Sequence, residues 1–250
     1  MTPLVLLHAI TRNGEDFAPF LPHLEAFDPH PVDLLGHGKA PRSDTYNLRT
    51  YAAAVPVPDR PFALYGHSLG GVVALAIAAE NRNVRALVLE DPPLWDSQPP
   101  RLETTRWAAE FAALHHLMTR RYKGFGADEW RTVVGAWPSG HGNATIAAHG
   151  GAPAVARRAR QIAALDPAVL SGILKPTLQQ GFDVLAAIRA CRARVTVLCG
   201  ERARGAALAP DDLGVLSAEP NVTLVRAPGA GHYVREHDPA LCAATLTAAL

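Results

Sequence analysis

The chain has 250 residues, of which 48% are hydrophobic, and its 24 basic and 23 acidic residues leave a net charge of +1. This length allows one α/β domain or a core with a small insertion, and the apolar content excludes an extensively disordered chain. The balanced charge excludes the broad basic face that nucleic-acid binding needs. Three cysteines without paired spacing, Cys191, Cys199 and Cys242, indicate reduced thiols rather than a disulfide framework.

Short apolar runs recur along the chain and predict six β-strands, at residues 4–7, 31–35, 62–65, 86–89, 195–199 and 222–226. Uninterrupted apolar runs are typical of parallel strands that are buried on both faces. Ala-rich segments between them, such as 71–80 and 239–250, favour helices. The alternation predicts an α/β fold with a doubly wound, mostly parallel sheet, whose ligands bind at the carboxyl ends of the strands.

The N-terminal apolar run is too short for a signal peptide or a membrane span, and no basic segment precedes it. The sequence therefore predicts a cytoplasmic protein without a membrane partner. The charge balance likewise predicts no nucleic-acid partner, and the oligomeric state is left open.

The segment between the fourth and fifth predicted strands is too long for one crossover helix. Helical patterns at 104–122, 127–134, 152–165 and 167–174 predict an inserted helical cap over 93–183, with a core built from 1–92 and 184–250. All four tryptophans fall in this cap: Trp95, Trp107, Trp130 and Trp137. They form either an aromatic ceiling over an apolar substrate, with Trp137 as the substrate-binding candidate, or the small core of the cap itself.

Residues 66–71 read Gly-His-Ser-Leu-Gly-Gly between a predicted strand and a predicted helix. A serine on such a tight turn exposes its hydroxyl at the end of the sheet, and glycines at 66 and 70 leave room for the neighbouring backbone. The N-terminus of the following helix favours a developing oxyanion. The pattern predicts Ser68 as a catalytic nucleophile; the alternative is a Gly-rich turn with a serine cap.

A second motif, Gly-Ala-Gly-His at 229–232, follows the last predicted strand. A histidine on a glycine loop at this edge can take the proton from Ser68 and return it to a leaving group, which makes His232 the candidate general base. The alternative is a loop histidine that caps the final helix. The adjacent pair His115 and His116 lacks metal-ligand spacing, so we expect no metal site.

With these motifs the chain resembles the α/β-hydrolase superfamily over nearly its whole length. Further matching segments are Leu-Leu-His at 6–8, Asp-Leu-Leu-Gly-His-Gly at 33–38 and Glu-His at 236–237. The resemblance implies cofactor-free cleavage of esters, lactones, thioesters, amides or activated carbon–carbon bonds. It does not specify the substrate.

The resemblance also implies an oxyanion hole made by two backbone N–H groups. One belongs to Leu69, which follows the candidate nucleophile. The other comes from the residue after a His-Gly pair, and since this chain has His-Ala-Ile at 8–10, the expected donor is Ile10. If that turn needs a positive φ, Ala9 strains it by roughly 1–2 kcal/mol. Arg12 in the same loop is either a clamp for a substrate carboxylate or a solvated loop arginine.

The usual place of the acid in the family, two residues beyond the Glu of Gly200-Glu201, holds Ala203 in this chain. A relocated acid is available where the fourth predicted strand enters Glu-Asp-Pro-Pro at 90–93, and some family members carry their acid at this strand end. We therefore predict Asp91 as the acid that orients His232. Glu90 and a later loop acid, Asp211 or Asp212, remain alternatives, and Glu201 is expected to bond backbone.

The sequence thus predicts a carboxylesterase-like serine hydrolase that cleaves an ester, lactone or related acyl bond of a small, largely apolar molecule. The mechanism would use a Ser-His-Asp triad and an acyl-enzyme, without cofactor or metal. Two alternatives stay open: a carbon–carbon hydrolase or lyase on the same triad, and a ligand-binding protein that no longer turns over.

Overall fold

The computed structural model describes residues 1–98, 100–139 and 144–250. Its strands are β1 (Thr2–Leu7), β2 (Phe27–Val32), β3 (Phe62–His67), β4 (Val84–Glu90), β5 (Val195–Cys199) and β6 (Val222–Arg226). They form one parallel sheet in the order β2-β1-β3-β4-β5-β6. The predicted doubly wound parallel sheet is confirmed. The chain reverses its direction of growth between β1 and β3, and ligands of open α/β sheets bind at such a switch point.

The helices are α1 (Leu48–Ala54), α2 (Leu69–Glu80), α3 (Arg106–His116), α4 (Ala127–Val134), α5 (Ile146–Ala163), α6 (Pro167–Ile173), α7 (Val184–Ala190), α8 (Pro210–Ser217), α9 (Val234–His237) and α10 (Pro239–Ala248). The backbone of α5 is kinked at Gly151, where φ is 61°. Among the described residues, no helix is both long enough and apolar enough to cross a bilayer.

The central strands are buried on both faces because successive side chains point to opposite sides of the sheet. On β1, Val5 and Leu7 pack into the apolar cluster beneath α2, whereas Leu4 and Leu6 pack into the cluster beneath α10. Helices therefore cover both faces. This coverage explains why the strands lack the polar–apolar alternation of a half-exposed sheet.

One predicted strand was placed wrongly. The sequence predicted a strand at 31–35, but β2 spans Phe27–Val32 and contains Pro29 and Pro31. Proline cannot donate to a strand ladder and is tolerated at a sheet edge, which is where β2 lies. The apolar residues at 34 and 35 belong to the loop that follows β2.

Helices α3 to α6 lie within the segment 93–183 that was predicted to form a cap, and α7 follows this segment before β5. Trp130 of α4 and Leu170 of α6 belong to the same apolar cluster as Val72 and Leu89 of the sheet layer. Helix α7 packs against α2 and so joins the layer of helices on the sheet. The helical insertion therefore shares its apolar core with the sheet, and the boundaries at 93 and 183 stay a prediction.

Candidate active site

Ser68 lies on a strained turn between β3 and α2, with φ 54° and ψ −119°. A Cβ atom at Gly66 would lie 2.2 Å from the carbonyl oxygen of Gly70, and a Cβ at Gly70 would lie 2.2 Å from that of Leu7. Both distances are far below van der Waals contact. The two glycines are therefore required, because only they let β3 turn so sharply into α2 beside the end of β1.

In the described part of the chain, three non-glycine residues have a positive φ: Thr11 (64°), Ser68 (54°) and Asp91 (41°). They follow β1, β3 and β4, which are neighbours in the sheet. Such conformations cost on the order of 1–3 kcal/mol each and persist where the surrounding structure enforces them. Their concentration at one edge of the sheet marks this edge as the candidate active site.

Asp91 and His232 contact each other directly. The Nδ1 atom of His232 lies 2.6 Å from Oδ2 of Asp91, so Nδ1–H donates to the carboxylate and Nε2 is the ring nitrogen left to exchange a proton with a substrate group. Asp91 is fully buried and also accepts hydrogen bonds from the backbone N–H groups of Ala207 (2.6 Å) and Leu208 (3.4 Å). The carboxylate is thus held in place by the chain that follows β5.

The other acids that the sequence left open are engaged elsewhere. Glu90 binds Arg235, which donates its backbone N–H (2.8 Å) and Nη1 (2.7 Å) to the carboxylate. Asp212 accepts a two-pronged hydrogen bond from Arg101 at 2.7 and 2.9 Å. Asp211 is exposed on α8. Among these candidates, the structure brings Asp91 to His232.

The loop that carries His232 is fixed from two sides. Glu201 accepts a hydrogen bond from the N–H of Gly229 at 2.8 Å, which agrees with the backbone-bonding role expected of it. Nε2–H of His67 donates to the carbonyl oxygen of His232 at 2.9 Å, and the two rings lie 4.8 Å apart. Burial lowers the pKa of His67 well below its usual value, which keeps this ring neutral. The motif at 66–71 contains His67, but its supporting contact was not foreseen.

The loop after β1 is held by two buried histidines. Nε2 of His8 accepts from the N–H of Leu34 at 2.9 Å, and Nε2 of His37 accepts from the N–H of Thr11 at 3.3 Å. Burial lowers the pKa of His37 to about 3, so its ring stays neutral and can accept. Two neutral rings therefore support the loop from which the second oxyanion donor is expected.

Leu69 is the first residue of α2, where backbone N–H groups have no partner within the helix, and Ile10 lies buried in the loop after β1. The backbone strain considered for Ala9 lies two residues further on, because the positive φ in this loop belongs to Thr11 and not to Ala9. An alanine at position 9 therefore carries no left-handed backbone penalty. The assignment of Leu69 and Ile10 as oxyanion donors stays a prediction.

Arg12 is not a solvated loop arginine, since only 14% of its side chain is exposed. Its Nη1 lies 3.4 Å from the carboxylate of Asp16, and its guanidinium carbon lies 5.0 Å from the ring centre of Tyr233. Tyr233 directly follows His232. Arg12 therefore connects the loop after β1 to the loop that carries the candidate base.

The tryptophans of the insertion have different surroundings. Trp130 is buried and packs edge-on against Trp137 at 5.9 Å, whereas the ring of Trp107 lies 5.3 Å from that of His232. The guanidinium carbon of Arg158, on α5, lies 5.9 Å from the ring centre of Trp137. Arg158 was not predicted from the sequence, and Trp107 was named there with the other three tryptophans, because nothing local distinguishes either from other residues of its type. Substrate contact by Trp137 stays a prediction.

Comparison with known proteins agrees with this geometry. The profile of the Alpha/beta hydrolase family matches residues 4–245. The chain belongs to this family. Across the described residues, no group of three or more His, Cys, Asp or Glu side chains is arranged to hold a metal ion.

Two solved structures illustrate the similarity in fold. An N-formylmaleamic acid deformylase from Pseudomonas putida superposes with a TM-score of 0.72 at 20% identity, covering 97% of this chain and 91% of that one. A thermophilic esterase from Thermogutta terrifontis superposes with a TM-score of 0.67 at 18% identity, covering 99% and 89%. At these identities the likeness shows the fold alone.

Curated relatives match over a shorter segment. Lipase LipV of Mycobacterium tuberculosis is 33% identical over 95 residues, which are 36% of this chain and 36% of that lipase. A pimeloyl-[acyl-carrier protein] methyl ester esterase of Neisseria meningitidis is 40% identical over 87 residues, 34% of each chain. The chain thus spans about a third of the length of the curated relatives it matches.

Proposed function

We propose that this protein is a serine hydrolase that cleaves an ester of a small, largely apolar acyl group. Ser68 is the nucleophile, His232 the general base and Asp91 the acid that orients the base. The observation that carries the proposal is the 2.6 Å contact between Nδ1 of His232 and the buried carboxylate of Asp91, at the same edge of the sheet as the strained serine turn. The lipase and esterase names of the matched relatives favour an ester as the bond cleaved.

The proposed reaction has two halves. Ser68 Oγ attacks the acyl carbon while Nε2 of His232 takes the hydroxyl proton, and the N–H groups of Leu69 and Ile10 stabilise the oxyanion. Collapse of the tetrahedral intermediate expels the alcohol, which receives the proton from His232 and leaves an acyl-serine. Water then attacks the acyl carbon, His232 takes its proton, and the carboxylic acid leaves as Ser68 regains its hydrogen.

The test is intact-mass spectrometry after treatment with a fluorophosphonate probe. The wild type should gain one probe adduct within minutes, and Ser68→Ala should gain none. Ser217→Ala is the matched control, because this serine is exposed on α8 and its hydroxyl donates to the carbonyl oxygen of Gly214 in the same helix. Labelling of Ser217→Ala should equal that of the wild type, as should hydrolysis of p-nitrophenyl butyrate.

A folded wild type that takes up no probe and cleaves no ester would contradict the proposal and favour a binding protein. Labelling that survives in Ser68→Ala would move the nucleophile to another residue. Rapid labelling without ester hydrolysis would favour carbon–carbon cleavage by the same three residues.

A further inference from the structure

Arg158 of α5 binds Thr11, the neighbour of Arg12 in the loop that follows β1. Arg158 of α5 donates from Nη1 to the carbonyl oxygen of Thr11 at 2.5 Å and from Nη2 to its hydroxyl at 2.9 Å. Arg12 is the next residue along the chain, and its guanidinium lies against Tyr233. Positive charge from the helical insertion and positive charge from the core are thus brought together, although like charges repel.

The carboxylates in this region are already engaged. Asp16 binds both Arg12 and Arg235, and Glu90 binds Arg235. Among the described residues, Arg158 has hydrogen bonds only to the uncharged groups of Thr11 and no carboxylate within ion-pair distance. Burial and the neighbouring charge of Arg12 lower the pKa of Arg158 to about 9. A partly buried arginine without an anionic partner is costly to the fold by itself.

The place of these two arginines relates them to the reaction. Thr11 directly follows Ile10, the expected oxyanion donor, and Tyr233 directly follows His232. Arg158 is therefore bonded to the residue after the expected oxyanion donor, and Arg12 lies against the residue after the candidate base. The ring centre of Trp137 lies 5.9 Å from the guanidinium carbon of Arg158, and the ring supplies an aromatic surface beside it.

We propose that Arg12 and Arg158 together bind a carboxylate of the substrate, so that the preferred substrates are half-esters of short dicarboxylic acids. This inference rests on the proposed function. A carboxylate supplies the anionic partner that Arg158 lacks, and its two oxygens match the planar fork of a guanidinium. The methylene groups between the two ends of such an acid suit the aromatic surface of Trp137. A half-ester of this kind therefore combines a small apolar acyl group with a charged terminus.

The experiment compares charged and neutral esters of equal length. Monomethyl glutarate and monomethyl adipate are the half-esters, and methyl pentanoate and methyl hexanoate are their neutral counterparts. For the wild type, KM should be about 10- to 100-fold lower for the half-esters, the range expected for hydrogen bonds to a charged group. In Arg158→Gln this preference should fall by about tenfold or more, and Arg158→Lys should restore part of it.

Arg157→Gln is the matched control, because Arg157 is the neighbouring residue on α5 and its loss changes the net charge equally. It should keep the wild-type ratio of the two KM values. An equal rise of KM for both ester classes in Arg158→Gln would overturn the inference, since it would make Arg158 a structural latch between α5 and Thr11. A wild type with no preference for half-esters would overturn it as well.

A binding measurement separates this inference from the proposed function. Calorimetry on the Ser68→Ala protein with monomethyl glutarate should give a Kd that rises about tenfold or more when Arg158→Gln is added. Binding of this kind in a protein that fluorophosphonate fails to label would sustain the carboxylate site and reject the hydrolase. Probe labelling of the wild type together with no measurable binding of the half-ester would do the reverse.

Discussion

The carboxyl edge of the sheet and the helical insertion above it contribute to the site in different ways. At the edge, Ser68 and Asp91 follow strands directly and are held by backbone geometry and backbone N–H groups. In the insertion, Trp107 and Arg158 reach the site through side chains on helices. The difference suggests that the reaction chemistry depends on local chain geometry at the strand ends, whereas substrate selection depends on contacts between distant segments.

Two adjacent acids at the end of β4, Glu90 and Asp91, show how strongly local chain geometry determines which side chain reaches His232. Glu90 ends β4 and binds Arg235, whereas Asp91 has a positive φ and turns toward His232. We expect Asp91→Asn to lower kcat by on the order of 10⁴, because the amide cannot stabilise the charged imidazole or hold its tautomer. Steady-state hydrolysis of p-nitrophenyl butyrate measures the effect, with circular dichroism to verify folding.

Asp212→Asn tests the same assignment from the other side. Asp212 is a buried acid held by Arg101, so its loss should change thermal stability more than kcat. A near wild-type kcat in Asp91→Asn together with a large loss in Asp212→Asn would move the acid to α8.

Much of this edge could be predicted from the sequence, because each signal is local. The serine turn needs glycines within two residues of Ser68, and Asp91 and His232 stand in loops directly after apolar runs. Arg158 could not be predicted, since its partner Thr11 lies 147 residues away and nothing local separates it from the other arginines. The error at β2 has a similar origin, because the prolines of an edge strand obscure it and only its place in the sheet explains them.

The buried ion pairs of Arg235, beneath the carboxyl edge of the sheet, predict the next largest effect, which is on stability. Arg235 is 2% exposed and binds both Glu90 and Asp16. Arg235→Met leaves the buried carboxylate of Glu90 without its cation and leaves Asp16 with Arg12 alone, so we expect the free energy of unfolding to fall by about 3–5 kcal/mol. Urea denaturation followed by circular dichroism measures this change.

Arg160→Met is the control for Arg235→Met. Arg160 pairs with Glu15 at 2.7 Å in solvent, where ion pairs contribute less than about 1 kcal/mol. A similar loss in both variants would show that the buried network adds nothing beyond a surface pair.

The neutral histidines beneath the loop after β1 predict a smaller effect that depends on pH. The pKa of His37 is lowered to about 3 in the folded protein, against 6.5 for the free residue. Stability from this group is therefore complete above pH 6.5 and is lost as the pH falls toward 3. At pH 4 the loss is on the order of 3 kcal/mol. In His37→Gln, the decline in unfolding free energy from pH 7 to pH 4 should be shallower by about that amount.

The comparison variant for His37 is His23→Gln, which replaces an exposed histidine whose ring stacks on Phe20 at 6.4 Å. It should reproduce the wild-type pH dependence. If His37→Gln also reproduces it, acid destabilisation must arise from other buried groups.

The smallest expected effect concerns the position where the family usually has its acid. Ala203 is exposed in a 3₁₀ turn, Arg202–Arg204, whereas the N–H groups of Ala207 and Leu208 face Asp91. The loop after β5 therefore binds the carboxylate of Asp91, which follows β4, through its backbone N–H groups. Introducing Ala203→Asp into Asp91→Asn should leave the fluorophosphonate labelling rate at the level of Asp91→Asn alone. Ala203→Asn in the same background controls for the altered surface. If Ala203→Asp raised the labelling rate more than about tenfold and Ala203→Asn did not, an acid in this turn would still reach His232. The ends of β4 and β5 would then be interchangeable as positions for the acid.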